Sequence, residues 1–384
     1  MAGVADAEIG YIRDKPVSAL PPPMLHTGIF GWMRGNLLST PTNIALSIFS
    51  VLIIAWLVPP LVRFLIIDAV WTGVDREACL VSLEQSHVGA CWPFVWDRLG
   101  YFVYGSYPLS ERWRVNIFFA LLAFGITWLL WLDAPHRGLA AIYFFVVLPV
   151  ASYLLLSGSP AIGLTPVPTS SWGGMLVTLV VATVGIVASV PIGILLALGR
   201  RSQMTAIRTL SIVFIEFVRG VPLITVLFMA SVMLPLFVPE TWSPDKLLRA
   251  LVGIALFASA YMAEVVRAGL QAIPRGQYEA ATALGLRYWP MTVLIVLPQA
   301  LRITLPNIVN TAVGLFKDTT LVFIVGIFDL LRTIEVARID PKWATPVTSP
   351  TGYAFAALFY FVFCYGMSRY ARSVETRLAR SDRR

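Results

Sequence analysis

The sequence predicts an all-α, polytopic integral membrane protein, and three observations predict it. The 384 residues are 58% hydrophobic and 13% charged, with a mean hydropathy of +0.77, whereas ordinary soluble domains carry about 25% charged residues. From Gly138 to Gly199 there is no Asp, Glu, Lys or Arg, an uncharged run too long for a water-facing fold. The apolar segments are solid and do not alternate, so their backbone is satisfied as helix and not as barrel strand.

The opening "MAGVADAEIGYIRDKPVSALPPPMLHTGIF" lacks the basic, apolar and small-residue sections of a secretory signal. Its three consecutive prolines favour extended backbone, so residues 1–43 are expected to form an irregular lead-in. Apolar cores near the ~20 residues that cross the hydrocarbon then fall at 44–67, 115–132, 139–157, 174–199, 211–237, 249–266, 304–326 and 353–370. The first contains Pro59-Pro60, where a kink or an end is expected. The seventh is the most polar, with Pro306, Asn307, Asn310, Lys317 and Asp318. Between the third and fourth runs "SGSPAIGLTPVPTSSWGG", an uncharged linker that divides a three-span unit, 44–160, from a five-span unit, 173–384.

Placing both termini in the cytoplasm puts 17 of the 29 basic residues on that side and nine outside, which the positive-inside rule favours. Loop 71–114 is then external and loop 267–302 cytoplasmic. The net charge of +8 follows from this bias and from contact with anionic lipid, so it implies no nucleic acid. Cys79 and Cys91 fall in the external loop, where oxidation is possible; a disulfide and two free thiols both fit the sequence. Cys364 is a small filler of the last span.

The stretch "RGQYEAATALGLRYWPMTVLIVLPQALR", from Arg275, is too polar to span. Helix formers run from Tyr278 to Leu284, Gly285 suits a left-handed cap, and Trp289-Pro290-Met291 starts a second helix. Tyr278, Ala281, Thr282 and Gly285 share one face of the first helix, an aromatic anchor beside a small flat surface flanked by Glu279 and Arg287. That surface suits a protein groove; the pattern alone fits equally a helix resting on headgroups.

The same residues carry a resemblance. Glu279-Ala280-Ala281, then Gly285, then "IVLP" ending in Pro298, resembles the EAA loop of permease subunits of bacterial ATP-binding-cassette importers. "EFVRGVPLITVLF", "AYMAEVVRAGLQAIPRGQYEAATALGL" and "FKDTTLVFIVGIFDLL" are similar, in order, to the polar amino acid branch of that family, and together they cover most of 173–370. The resemblance implies that Tyr278, Glu279, Ala280, Ala281, Gly285 and Pro298 belong to a coupling segment that seats in a dimeric cytoplasmic ATP-binding subunit. It also implies a five-span core, a second homologous permease, a periplasmic amino acid-binding protein, an L-amino acid substrate and the bacterial inner membrane. The three extra N-terminal spans depart from the minimal pattern and resemble the enlarged permease of general L-amino-acid importers.

No cofactor is expected on this chain, because ATP and Mg belong to the partner. Lys15, Lys246, Lys317 and Lys342 follow Asp, Asp, Phe and Pro, whereas a phosphate-gripping loop needs Gly before its lysine. Three histidines and no clustered His, Cys, Asp or Glu give neither a catalytic constellation nor a metal site.

Charges within spans are costly unless paired or wetted. Glu216 and Arg219, like Glu264 and Arg267, are three apart and suit ion pairs at helix ends or contacts along a substrate path. Adjacent Lys317 and Asp318 cannot share a helix face; with Thr319 they line a translocation path for a zwitterion or brace an interface. Gly185, Ser189, Gly193 and Ala197, at intervals of four, form a small-residue stripe for close helix packing, within this chain or against a second permease. An ion- or proton-coupled carrier is the alternative reading, but it predicts matching repeats with broken helices, and the two halves show no clear repeat.

Overall fold

The apolar runs become α-helices in the computed structural model, which describes residues 28–80, 87–131, 134–237, 239 and 244–381; no named strand occurs among them. Most of the 1–43 lead-in, His26 and part of the 71–114 loop lie outside the described residues. The chain divides into two compact units, Met1–Asp68 and Ala69–Arg384.

In the first unit, α1 (Gly28–Asn36) precedes α2 (Pro41–Ile67). Thr40 caps α2 by accepting from the Asn43 amide at 3.2 Å, and Pro41 occupies the first turn, where no amide is needed. The helix does not end at Pro59-Pro60; it runs through them and loosens into a π-turn at Arg63–Ile67, the expected relief where donors are missing. None of its residues is buried, as suits a helix apolar all round and meant for lipid.

The second unit contains α3 (Trp92–Tyr104), α4 (Leu109–Leu130), α5 (Gly138–Ser157), α6 (Gly174–Arg200), α7 (Thr205–Gly220), α8 (Leu223–Phe237), α9 (Lys246–Ala272), α10 (Arg275–Ala283), α11 (Tyr288–Val325), α12 (Leu330–Ala337) and α13 (Thr348–Ser381). The single span expected over 211–237 is instead α7 and α8, bent by 106°. Pro222 explains the break: it has no amide to donate and holds Val221 extended at φ −108°, ψ 137°.

Helices α6 and α9 form the centre. Gly185, Ser189, Gly193 and Ala197 are all buried, and they pack within this chain. A Cβ on Gly193 would lie 2.7 Å from Met262 Cβ, and one on Gly185 would lie 3.0 Å from Ile254 and Leu315 side-chain carbons. The stretch 157–174 is not a gap between compact units. Val167 N donates to Ser157 O at 2.8 Å, Tyr107 Oη to Leu156 O at 2.7 Å and Arg114 Nη1 to Thr165 O at 2.8 Å. Phe118, Leu148, Val177 and Ile254 share one hydrophobic cluster, so α4 and α5 are built into the same body as α6 and α9.

At the end of the spans where α6 begins, the segment after Ala69 folds onto α12 and α13. Cys79 and Cys91 are joined by a disulfide with a Cα–Cα distance of 5.7 Å, and they cluster with Phe94, Phe102, Leu330, Ile334 and Trp343. Asp97 accepts from Trp343 Nε1 at 2.7 Å and Lys342 Nζ at 2.9 Å, and Arg98 pairs with Asp340. Burial raises the Asp97 pKa, but the bonds from Lys342 and Trp343 outweigh it and hold the carboxyl below its ordinary range.

Asp329 is fully buried in this lobe and caps α12, accepting from Leu331 N at 3.1 Å and Arg332 N at 3.0 Å, with Tyr360 Oη 3.5 Å away. Desolvation dominates over these bonds and lifts its pKa to about 6. The folded chain therefore holds this proton more tightly than the unfolded one. The contribution to stability is full below about pH 4 and is lost as pH rises through about 6. Two pKa units correspond to about 3 kcal/mol. The thermal midpoint in nanodiscs is expected to fall between pH 5 and 7, and Asp329→Asn to flatten that slope; an unchanged slope in the variant would assign it to another group.

Candidate functional site

Helix α10 is short because its ends are both fixed by sequence. Pro274 opens it, and Gly285, at φ +75°, closes it with Gly285 N bonded to Thr282 O at 2.9 Å and Leu286 N to Ala281 O at 3.1 Å. This is the paired bonding of a glycine-capped helix end. The expected face divides in two. Ala281 is 1% exposed, and Tyr278 turns back toward the spans. Arg201 Nη1 donates to Tyr278 Oη at 3.1 Å and its guanidinium lies 5.6 Å over the ring, while Tyr278 Oη donates to Leu270 O at 3.3 Å. Tyr278 and Ala281 therefore seat α10 on its own chain. The outward surface is Glu279, Ala280, Ala283 and Leu284, the last 78% exposed, ending at exposed Gly285.

Pro298 lies in α11 beyond a π-turn at Thr292–Val296, placed where the proline supplies no amide. Its neighbour Gln299 donates to Gln277 Oε1 at 3.1 Å, a second tether from α10 to a span.

Beside this tether, charges from α6, α7 and α9 converge on Glu264. Arg267 grips it with Nε at 3.0 Å and Nη2 at 2.8 Å, Arg200 reaches it at 2.8 Å and Arg219 at 3.7 Å. Glu216 pairs with Arg200 at 2.9 Å, so the expected Glu216–Arg219 pair is replaced by bonds between helices, and only Glu264–Arg267 forms along one helix. Arg200 holds two carboxylates at once, and neither its spacing nor a local pattern points to it.

Arg219 also lies 5.7 Å over the ring of Tyr261. Tyr261 lines an open cavity of about 310 Å³ with Phe257, Ala258, Thr311, Gly314, Leu315 and Asp318. Of the Lys317-Asp318-Thr319 trio, only Asp318 lines it. Lys317 is exposed on another face, and buried Thr319 donates to Phe316 O at 2.8 Å. Among the described residues no group of three His, Cys, Asp or Glu is placed to hold a metal ion. A series of contacts thus links Tyr261, on the wall of the Asp318 cavity, through Arg219 and Glu264 to Arg200, whose neighbour Arg201 contacts Tyr278 of α10.

Comparison with known proteins gives a family and long relatives. Residues 189–380 match the family model described as "Binding-protein-dependent transport system inner membrane component". The chain is 49% identical over 346 residues to the inner membrane amino-acid ABC transporter permease protein YhdY of Escherichia coli K12, an alignment covering 90% of this chain and 92% of that one. It is 37% identical to the glutamate/glutamine/aspartate/asparagine transport system permease protein BztC of Rhodobacter capsulatus, covering 98% of this chain and all of the relative. A shorter protein, the probable glutamine permease GlnP of Bacillus subtilis, is 32% identical over 54% of this chain and 92% of its own.

Proposed function

Because this chain belongs to the binding-protein-dependent transport system inner membrane components, we propose that it carries L-amino acids across the inner membrane by alternating access. It is a multi-pass, non-catalytic permease subunit of an amino-acid ATP-binding-cassette importer, and ATP is hydrolysed by a partner ATP-binding subunit. The full-length likeness to two amino-acid permeases carries this reading and displaces that of an ion-coupled carrier.

In the proposed mechanism, the outward face of α10, from Glu279 to Gly285, seats in a dimer of the ATP-binding subunit, which binds ATP and Mg. Movement of α10 passes through Tyr278–Arg201 and Gln277–Gln299 to α6 and α11. The Glu264 network then transmits it to the Asp318 cavity, whose carboxylate suits the ammonium group of an amino acid. A second homologous permease completes the path, and a periplasmic binding protein delivers substrate at the lobe built from α3 and α12. Two observations support placing that lobe outside and both termini in the cytoplasm: the Cys79–Cys91 disulfide suits an oxidising compartment, and 17 of 29 basic residues then lie inside.

The test compares the complex with Leu284→Asp and Gly285→Asp variants, by copurification and by ATP-dependent amino acid uptake in liposomes containing the binding protein. A charge at a central anchor is expected to cost at least about 2 kcal/mol of docking, roughly thirtyfold. The ATP-binding subunit should dissociate, or uptake should collapse. Uptake that follows an ion gradient without any ATP-binding subunit would overturn the reading.

A further inference from the structure

We propose that a cavity between α4, α5, α6 and α9 binds a phospholipid with an ammonium headgroup, of the phosphatidylethanolamine class. The cavity measures about 130 Å³, and its walls include Phe118, Leu148, Leu156, Val180 and Leu251. Tyr153 and Leu248, 65% and 50% exposed, stand at its rim, so the cavity meets the hydrocarbon of the bilayer and not the interior of the bundle.

Two polar groups stand in these apolar walls without a partner among the described residues. Ser152 and Trp172 both line the cavity and are more than nine-tenths buried, and neither Ser152 Oγ nor Trp172 Nε1 has a hydrogen-bond partner among the described residues. Buried donors without acceptors are rare and costly. Water would need several polar neighbours to be held there, and an alkyl chain alone offers no acceptor. The ester region of a phospholipid offers carbonyl oxygens beside an acyl chain.

The depth agrees. Ser152 lies five residues before the end of α5, about 8 Å at 1.5 Å per residue, and Trp172 lies two residues before α6 begins. This is the level of the boundary between headgroups and acyl chains. Asp245 also lines the cavity and is exposed at the first turn of α9, where it caps Leu247 N at 3.0 Å. Its negative charge complements an ammonium headgroup and repels an anionic lipid. The chain thus presents an apolar slot, two donors at ester depth and one anion at headgroup depth.

The experiment is native mass spectrometry of the assembled complex titrated with phosphatidylethanolamine or phosphatidylglycerol. The wild type is expected to retain the former about fivefold more strongly. Trp172→Phe, which keeps the ring and removes the donor, should weaken retention about fivefold. Asp245→Asn should erase the preference without removing lipid, and Val184→Trp should displace it by filling the slot. Equal retention of both lipids by the wild type would overturn the proposal. So would unchanged retention in both Trp172→Phe and a Val184→Trp variant whose thermal midpoint matches the wild type.

Discussion

Glu264→Gln is expected to unfasten the ends of α6, α7 and α9 together and to reduce transport to near background. Three guanidinium groups converge on this carboxylate, whose side chain is 17% exposed. Glutamine keeps the shape and loses the charge. Arg219 and Arg267 would then lose their ion-pair partner among the described residues, and Arg200 would keep Glu216, which is 54% exposed and screened by solvent. Removing one partner from a buried ion pair costs 3–5 kcal/mol; for this partly buried group about 2–4 kcal/mol is expected. Glu216→Gln is the control, and at its exposure about 1 kcal/mol or less is expected. Thermal unfolding in nanodiscs and ATP-driven uptake measure both variants. A Glu264→Gln complex that melts and transports like the wild type would show that the arginines find other counter-charges.

Gly174→Ala is expected to be among the most damaging single-methyl changes at the described glycines. Gly174 has φ +64°, and its amide donates to Phe328 O at 2.9 Å. A Cβ there would fall on the Phe102 carbonyl oxygen and 2.7 Å from the carbonyl carbon. Both obstacles are backbone, so no side chain can swing away. The left-handed conformation and the clash together are expected to cost about 3–4 kcal/mol. Three segments meet at this point: the end of α3, the start of α6 and the approach to α12. Loss of their junction should open the disulfide-bearing lobe and raise protease sensitivity at residues 69–80 and 87–105. Gly138→Ala, with nothing within 4 Å of its added methyl, is expected to be silent in the same assay. Equal behaviour of the two variants would refute this account.

Most of the helices were legible because a bilayer enforces a simple rule: a long apolar run must be a helix. Gly285 was legible as a cap for a similarly local reason. The break at Val221-Pro222 was hidden because α7 and α8 together have the length and composition of one span, and hydropathy does not record direction. The inward turn of Tyr278 and Ala281 was hidden too. Helical spacing shows which residues share a face, but not whether that face meets its own chain or a partner. Arg200 and Arg201 looked like ordinary basic residues at a helix end, and their roles emerge only from long-range contacts to Glu264 and Tyr278. Asp318 was legible as an unusual charge in a span, whereas the cavity beside it required α9 and α11 to be placed together.

The disulfide-bearing lobe has a consequence for the order in which the protein can be made. Cys91 N is bonded to Thr351 Oγ1 across 260 positions, and Asp97 to Trp343 across 246. Phe94 and Phe102, both 0% exposed in the finished molecule, emerge from the ribosome long before the α12 and α13 residues that cover them. The lobe cannot close until the last span has been inserted. Until then the nascent chain carries an uncovered aromatic surface, with the slow closure and aggregation hazard that distant contacts bring. Chains truncated before Thr351 retain that surface permanently, which gives the cell a physical mark by which unfinished copies differ from finished ones.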